Sequence, residues 1–328
     1  MQALLNAIAQ LPLPADAGRY FHGRGGLHAG CEHLTLDAYP PAWVLTSFKP
    51  LSDEALSDIG AALQARWMNI APGQPLCWVY QCLQPGQADT RLMTGTLPSP
   101  HTVTERGTRY AVHLLTGQNH GLFLDMAEGR RWVFDHMQHL ASTGHRPKVL
   151  NLFAYTCAFS VVALQGGARH VLNVDMSRGA LGTGQHNHAL NGLTSGASFM
   201  AHDIFNTWGK VTRGGPYDLV IADPPSYQKG SFVATKDYAR LVRRLPELLA
   251  PGGHALLCLN APELGTDFLL GLLAQEAPDL QVVQRLANPA AFADTDPERA
   301  LKVMVCRAPA LDTDDRTAPG QPPPDSGH

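Results

Sequence analysis

Apolar and polar positions alternate in blocks through the second half of the chain. Short apolar runs typical of buried strands lie at 149–153, 170–174, 217–222 and 254–259. Segments with helical period lie between and after them, at 158–164, 177–190, 236–249 and 266–275. Strands that alternate with helices form a parallel sheet covered on both faces. The pattern therefore predicts an α/β fold whose core is a doubly wound, mostly parallel, Rossmann-like sheet.

Both ends of the chain depart from this alternation. Residues 281–286 and 301–306 are expected to be strands without a clear helix between them, which allows an antiparallel edge. Upstream, strands, one helix at 51–67 and a hairpin that turns at 106–108 suggest a small α+β unit. The tail is rich in Pro, Asp, Gly and Thr. We predict an accessory α+β domain over 1–115, a ligand-binding domain over 116–307 and a disordered tail over 308–328.

Composition limits the class of protein. The 328 residues are 45% hydrophobic and carry a formal net charge of −3, so the chain lacks the overall positive charge of many nucleic-acid binders. Its six cysteines include no C-x-x-C pair, which favours buried free thiols, a reducing cytoplasm and no metal site. Neither a signal peptide nor a membrane span is expected.

The most informative stretch runs from Lys148 to Asp175. It combines a strand, a tight turn, an apolar helix ending at Gly166-Gly167 and a second strand that ends on a carboxylate. An acid at that place can bind ribose hydroxyls. The turn holds Tyr155, Thr156 and Cys157 instead of a G-x-G-x-x-G phosphate cradle. A ligand with a ribose and an adenine but no phosphate, such as S-adenosylmethionine (SAM), fits; an ordinary βαβ unit whose acid faces solvent is the alternative.

A second motif, Asp223-Pro224-Pro225-Ser226-Tyr227, follows a strand and so belongs to the carboxyl edge of the sheet, where ligands of such sheets bind. The prolines stiffen the backbone, so that Asp223 is held ready to accept hydrogen bonds from an amine. Tyr227 offers a flat face on which a base can stack. We expect Asp175 and Asp223 on neighbouring strand tips. The alternative is a rigid loop without chemistry.

With these motifs, the chain resembles the class I SAM-dependent methyltransferases, and within them the bacterial large-subunit ribosomal-RNA methyltransferases of the I and K/L types. The resemblance covers about 105–306. It rests on segments in the family's order and spacing: Gly117-Gln118, Gly121 to Asp125, Arg130, Asn151 to Thr156, Val174 to Ser177, Asn187, Leu190-Asn191, Asp203 and Asp223 to Pro225. Before residue 100 only the expected α+β pattern is similar, with no room for the PUA domain of I-type members.

The resemblance implies roles for individual residues. Phe153, Tyr155 and Thr156 would line the methionine side of SAM, Asp175 would hold the ribose hydroxyls, and Ser177 would lie beside it. Asp203 and Ile204 would contact the adenine, and Asp125 and Arg130 would close the pocket. Asp223, Pro224 and Pro225 would face the methyl group and the acceptor, with Tyr227 as the platform for the base.

Two positions depart from the family's pattern. Cys157 stands where members usually have glycine, so its side chain is expected to crowd the cofactor. Members that methylate pyrimidine carbon use a cysteine after the strand that follows Gly-Gly, whereas Ala261 stands about there and Cys258 lies within the strand. Transfer to a nitrogen is therefore favoured over transfer to carbon.

The function expected from the sequence is a SAM-dependent methyltransferase that acts on a nitrogen of an RNA base, with ribosomal RNA as the implied partner. A SAM enzyme that acts on a protein or a small molecule is the second hypothesis, and a non-catalytic SAM-binding module is the third. For RNA, six arginines should share one face with the site: Arg24, Arg106, Arg109, Arg240, Arg243 and Arg244. The oligomeric state is not determined by the sequence.

Overall fold

The computed structural model describes residues 1–225, 227–228 and 232–310. Its helices are α1 Gln2–Ala9, α2 Asp53–Ile70, α3 Ala127–Ser142, α4 Ala158–Gln165, α5 Arg178–Leu190, α6 Trp208–Gly214, α7 Ala234–Val242, α8 Leu245–Leu248 and α9 Thr266–Glu276. Its strands are β1 Gly18–His22, β2 Leu34–Tyr39, β3 Ala42–Ser47, β4 Cys77–Gln84, β5 Gln87–Thr94, β6 His101–Glu105, β7 Thr108–Val112, β8 Lys148–Leu152, β9 His170–Asp175, β10 Ala197–Ala201, β11 Tyr217–Ala222, β12 Tyr227–Gln228, β13 Phe232–Val233, β14 Leu249–Leu259, β15 Gln281–Arg285 and β16 Lys302–Arg307.

The larger sheet has seven strands in the order β10-β9-β8-β11-β14-β16-β15. Neighbours from β10 to β14 run parallel, whereas β16 is antiparallel to both β14 and β15. The doubly wound, mostly parallel sheet predicted from the sequence is confirmed, and the antiparallel edge that the sequence allowed is present. From β8 the chain builds outward to β9 and β10 on one side, and then to β11 and β14 on the other. In sheets of this kind the ligand crevice opens where the order changes direction, which here is between β8 and β11.

Alternate residues of each strand pack into different cores, as a pleated strand requires. On β8, Leu150 and Leu152 belong to the core under α7 to α9, while Val149 belongs to the core with α3 and α4. Because helices cover both faces of the sheet, successive residues of these strands are apolar and form continuous runs in the sequence.

The smaller sheet has five strands in the order β1-β2-β3-β4-β5, with β3 and β4 parallel and the other pairs antiparallel. Helix α2 connects the parallel pair, and α1 and α2 pack on one face of the sheet over Leu36, Trp43 and Trp78. The other face turns toward the hairpin β6–β7 and helix α4, where Val44 and Val79 pack against Val161.

The hairpin β6–β7 belongs by contact to both halves of the molecule. The Arg109 amide donates to the Asn191 side chain and the Ala111 amide donates to Asn187, both on or just after α5. Thr108 donates to Gln165 at the end of α4. The division of the chain at residue 115 stays a prediction, but these bonds fasten residues 101–112 to the larger sheet's helices.

Some predicted elements differ from the structure. Strands β1 and β5 were not expected, because β1 is short and β5 is a polar, largely exposed edge strand without an apolar run. The helix predicted at 236–249 is wrong as one element: it divides into α7 and α8, with Pro246 in the first turn of α8. A proline has no N–H to continue the helix before it, so α7 ends upstream.

The six cysteines are free and buried, as predicted. Among residues 1–225, 227–228 and 232–310, no helix combines the length and the apolar character that crossing a membrane requires. Ala308 still donates to the Gly253 carbonyl, and Pro309 accepts from Gly252. Residues 311–328, which make up most of the predicted tail, lie outside the described residues.

Candidate active site

The loop of residues 153–157 connects β8 to α4 in an unusual backbone conformation. Phe153, Tyr155 and Cys157 have φ angles of 56°, 46° and 60°, a left-handed region that side chains other than glycine seldom adopt. Strain of this kind persists only where the surroundings enforce it, and it concentrates at functional sites. Here the enforcing group is a carboxylate one strand away.

Asp175 at the tip of β9 holds this loop. Its two carboxylate oxygens accept one backbone amide each, from Tyr155 at 2.8 Å and from Ser177 at 2.7 Å. Ser177 also caps α5 by accepting the Ala180 amide at 3.1 Å. The carboxylate stays partly exposed, and each oxygen has a further lone pair for a ligand hydroxyl. Asp175 is thus oriented by main-chain donors before any ligand binds.

The expectation that Cys157 crowds the ligand is wrong. Its side chain is fully buried in a small cluster with Ala154 and Leu181, on the helix side of the loop. The room for it comes from Gly184 on α5, where an added Cβ would lie 2.5 Å from the Cys157 sulfur. A missing side chain on α5 therefore compensates for the extra one in the loop.

The two key acids do not lie on neighbouring strands, as the sequence suggested, because β8 lies between β9 and β11. Val174, Leu152 and Ala222 form one row across the three strands, so Asp175 and Asp223 follow at equivalent positions. Strands are spaced about 4.8 Å apart, which separates the two backbone positions by roughly 10 Å. That gap is what opens the crevice between them.

A cavity of about 670 Å³ occupies this crevice, and it is called the strand-tip cavity below. Every sequence-predicted site residue whose side chain is described lines it: Asp125, Arg130, Phe153, Tyr155, Thr156, Asp175, Ser177, Asp203, Ile204, Asp223, Pro224 and Pro225. The backbone of Tyr227 forms β12, but its side chain lies outside the described residues. The volume is within the range of small-molecule and cofactor sites.

Asp223 has the most perturbed acidity in this cavity. Burial in the cavity wall raises its pKa to about 7, and the nearby Asp125 carboxylate adds to the rise. Arg130 and a hydrogen bond from the Cys258 thiol act in the opposite direction. Burial likewise raises the pKa of Asp125, against the effect of Arg19 and Arg130. A carboxyl group that titrates near neutrality can accept a hydrogen bond or a proton from a ligand when it is ionised, and donate one when it is protonated.

Arg130 supports the cavity wall from behind. It is 2% exposed, donates twice to Glu105 at 2.7 Å, and donates to the Phe123 carbonyl at 2.8 Å. The ion pair raises the pKa of Arg130 although burial alone would lower it. The guanidinium therefore fixes the turn that carries Asp125 and leaves direct contact with a ligand to its neighbours.

Other predicted residues also have structural partners. Thr156 donates its hydroxyl to the Gly121 carbonyl at 2.7 Å, which ties residues 153–157 to the preceding segment. Asp203 caps the short turn after β10 by accepting the Phe205 amide at 2.9 Å. Ile204 is buried and presents an apolar side to the cavity.

Two asparagines matter more than the sequence reasoning indicated. Asn187 accepts the Ala111 amide at 2.8 Å and donates to the Thr156 carbonyl at 2.9 Å, so it connects the hairpin with the strained loop. Asn191, one turn later, makes paired hydrogen bonds with the backbone of Arg109. Their i, i+4 spacing on one helix was the available signal.

Comparison with known proteins decides the family. The model of the S-adenosylmethionine-dependent methyltransferases matches residues 18–307, which is most of the chain. The chain belongs to that family. SAM is therefore its cofactor.

The curated relatives of this chain include proteins named as ribosomal RNA methyltransferases. The ribosomal RNA large subunit methyltransferase I of Aeromonas hydrophila is 34% identical over 174 residues, which are 51% of this chain and 42% of the relative. The K/L enzyme of Psychrobacter sp. (strain PRwf-1) is 37% identical over 161 residues, 47% of this chain and 19% of the relative. The chain thus spans less than half the length of these relatives.

Among solved structures, one described as a SAM-dependent methyltransferase from Streptococcus mutans superposes with a TM-score of 0.78 at 22% identity. The match covers 94% of this chain and 81% of that one. It extends through both sheets, so the joined arrangement of the smaller and larger sheets is shared by the two proteins.

A second cavity of about 370 Å³ adjoins the first in this methyltransferase, and it is called the sheet-face cavity below. Both cavities are lined by Gln118, Asn119, Phe123, Asp125, Asn260 and Leu301. The remaining walls come from the smaller sheet with the residues that adjoin its strands, from 120–124, from Pro262 and from 288–300. Sequence reasoning did not predict this cavity.

The six arginines expected to form an RNA-binding face are mostly engaged elsewhere. Four form ion pairs with Glu128, Asp237, Glu276 and Glu247, namely Arg106, Arg240, Arg243 and Arg244. The Arg109 side chain donates to the Leu190 carbonyl. Arg24 lines the sheet-face cavity, and Arg240 also stacks on the ring of Phe205, which lines the strand-tip cavity.

Proposed function

We propose that this methyltransferase transfers the methyl group of SAM to a nitrogen of a base in RNA, with ribosomal RNA as the substrate. The observation that carries the proposal is one cavity with two partly exposed carboxylates, Asp175 and Asp223, at equivalent positions two strands apart. One is oriented by backbone amides and the other titrates near neutrality.

In this proposal the residues that line the strand-tip cavity have distinct roles. Asp175 binds the ribose hydroxyls, Asp203 and Ile204 border the adenine, and Phe153, Tyr155 and Thr156 border the methionine part. SAM supplies an activated methyl group whose leaving group needs no protonation. The protein's contribution is therefore alignment, which is worth roughly 7–11 kcal/mol for well-oriented groups.

Asp223 orients the acceptor amine by accepting a hydrogen bond from it. As positive charge develops on the acceptor nitrogen, the ionised carboxylate stabilises that charge, and Pro224 and Pro225 keep it in place. Tyr227 is proposed as the platform for the base. Asp125 lines both cavities, and Arg130 closes the strand-tip cavity beside it.

Nitrogen is favoured over carbon as the acceptor. Among the residues that the structure describes, no cysteine lines either cavity. Cys258, the cysteine nearest in sequence to the expected attacking position, is buried, and burial and the Asp223 carboxylate raise the pKa of its thiol. Ala261 is buried as well, and its carbonyl accepts from Lys302. Attack on a pyrimidine ring needs an accessible thiolate.

Methyl transfer to extracted RNA tests the proposal directly. Ribosomal RNA from a strain that lacks the gene is incubated with the purified protein and methyl-tritiated SAM, and nucleosides are then analysed by mass spectrometry. We expect label in one N-methylated nucleoside that the deletion strain lacks. Label only in protein or small molecules from the same lysate would contradict an RNA substrate, and label at a ring carbon would contradict the nitrogen assignment.

A further inference from the structure

The sheet-face cavity carries chemistry that the proposed reaction has not yet used. Its floor is one face of the smaller sheet, where strand register aligns polar residues across neighbouring strands. Thr35 pairs with Thr46 and Thr46 with Gln81, and Arg19 pairs with Asp37 beside this row. Leu36, Trp43 and Trp78 occupy the opposite face. This polar row lies on the face of the sheet that lines the cavity.

The charged side chains on the floor of the cavity are held in place by one another. Arg19 forms a two-bond ion pair with Asp37 at 2.7 and 2.9 Å, and it also lies 4.4 Å from the centre of the Phe292 ring. Arg19 further donates to His22 Nδ1 at 3.0 Å. Because a guanidinium only donates, Nδ1 must accept, so the neutral ring carries its hydrogen on Nε2. Burial, then Arg19, lowers the pKa of His22 to about 4, which keeps the ring neutral at physiological pH.

The rim of the cavity carries unpaired positive charge. Arg24 stacks on the Phe48 ring, with 3.9 Å between the guanidinium carbon and the ring centre. Within residues 1–225 and 232–310, neither Arg24 nor Arg299 has an acid at ion-pair distance, in contrast to Arg19. Asp294 is the acid on this rim, and it accepts the Asp296 amide. A planar guanidinium fixed on an aromatic ring suits a phosphate oxygen pair.

We infer that the sheet-face cavity binds the acceptor nucleotide itself, as a single nucleotide drawn out of the RNA chain. Its phosphate would meet Arg24 and Arg299 at the rim, and its base would lie over the polar row on the sheet and point past Asp125 into the strand-tip cavity. The inference rests on the proposed function, since it names the place of the acceptor in that reaction.

Size and continuity support one nucleotide as the occupant. A volume of about 370 Å³ is at the lower end of ligand pockets, too small for a paired duplex. Enzymes that modify a base draw it out of the stack into a fitted pocket and read its polar edge. The shared lining of Phe123, Asp125 and Asn260 gives the base a direct route toward Asp223.

The test separates cofactor binding from acceptor binding. Calorimetry with S-adenosylhomocysteine (SAH) first measures the strand-tip cavity. SAH-saturated protein is then titrated with each of the four ribonucleoside 5′-monophosphates and with the matching nucleosides. We expect at least one monophosphate to bind, more tightly than its nucleoside, and Arg24→Ala to weaken it at least tenfold with SAH affinity unchanged. Arg24→Lys should recover part of the loss.

Steady-state methylation of ribosomal RNA from the deletion strain gives the second readout. Arg24→Ala should raise the KM for RNA about tenfold or more and change kcat little. Arg146→Ala is the matched control, because Arg146 is exposed just before β8, at the opposite edge of the sheet, and should leave KM unchanged.

The two possible failures are distinguishable. Protein that binds SAH but labels no RNA would contradict the proposed substrate, and this inference with it. RNA labelling with equal KM in wild type and Arg24→Ala, or no monophosphate bound by SAH-saturated protein, would overturn the acceptor cavity alone and leave the methyltransferase assignment standing.

Discussion

The two cavities of this methyltransferase are built in different ways. The strand-tip cavity is lined by residues at the carboxyl ends of strands of the larger sheet, such as Asp175, which ends β9, and Asp223, which follows β11. The sheet-face cavity is formed by residues within strands of the smaller sheet, such as Asp37 and Thr46. The first presents carboxylates at strand ends, whereas the second presents side-chain pairs set by strand register.

Because of this difference, we expect substitutions in the two cavities to have effects of different kind and size. Chemistry at strand tips depends on a few loop residues, so one substitution there should affect turnover or cofactor affinity strongly. A polar row on a sheet shares its contacts among several strands, so one substitution should change acceptor affinity modestly. The following variants test that division, in order of decreasing expected effect.

The largest effect is expected for Asp223→Asn. The amide keeps the size of the carboxyl group but cannot stabilise positive charge, so kcat should fall about 10²–10³-fold while SAH affinity stays within about twofold. In wild type the pKa near 7 means that the ionised, active form grows as pH rises through 7. Wild-type kcat/KM should therefore rise between pH 6 and 8, and the variant should lack that rise.

Asp267→Asn, an exposed carboxyl group in the first turn of α9, is the control and should behave as wild type. Full turnover in Asp223→Asn would remove Asp223 from the site.

Asp175→Asn should mainly affect the cofactor. The amide group can accept only one of the two backbone amides that the carboxylate now accepts, and its NH₂ then faces the other donor. Losing a charge-assisted contact of this type costs about 1.5–3 kcal/mol, so calorimetry should show SAH binding weakened about 10–100-fold. Asp89→Asn on the exposed strand β5 is the control. Equal SAH affinity in both variants would contradict the ribose role.

Gly184→Ala tests the compensation behind the strained loop. A Cβ there would meet the Cys157 sulfur at 2.5 Å, so the variant should lose about 1–3 kcal/mol of unfolding free energy, measured by urea denaturation. Adding Cys157→Gly should restore most of it, because glycine vacates the space and tolerates φ of 60°. Additive losses in the double variant would mean that the two positions are not coupled.

The smallest effect is expected for Thr46→Val on the sheet face. The substitution keeps the shape and removes one hydroxyl, so KM for RNA should rise about 3–10-fold with SAH affinity and thermal stability nearly unchanged. Thr94→Val at the exposed end of β5 serves as the control. A large fall in kcat with an unchanged KM would show that the sheet face takes part in the chemistry, and the division between the cavities would then be wrong.

Much of the strand-tip cavity could be predicted because its residues lie in short, continuous motifs. Parallel strands bring their carboxyl ends to one edge, so Asp175 and Asp223 could be placed there from the sequence alone. What could not be predicted was strand order, which places β8 between them, and the direction of the Cys157 side chain. Both depend on packing partners distant in sequence, since Gly184 lies 27 positions further along the chain.

The sequence by itself determined the α/β alternation and the motif residues that line the strand-tip cavity, and it allowed the antiparallel edge. These follow from local periodicity and from acids that come directly after apolar runs. Only the tertiary structure decided that Arg19 meets Asp37, that Thr35, Thr46 and Gln81 form one row, and that Arg24 reaches the rim of a cavity joined to the first. Strand register and the packing of two sheets create those contacts, and neither is encoded in any short stretch of the chain.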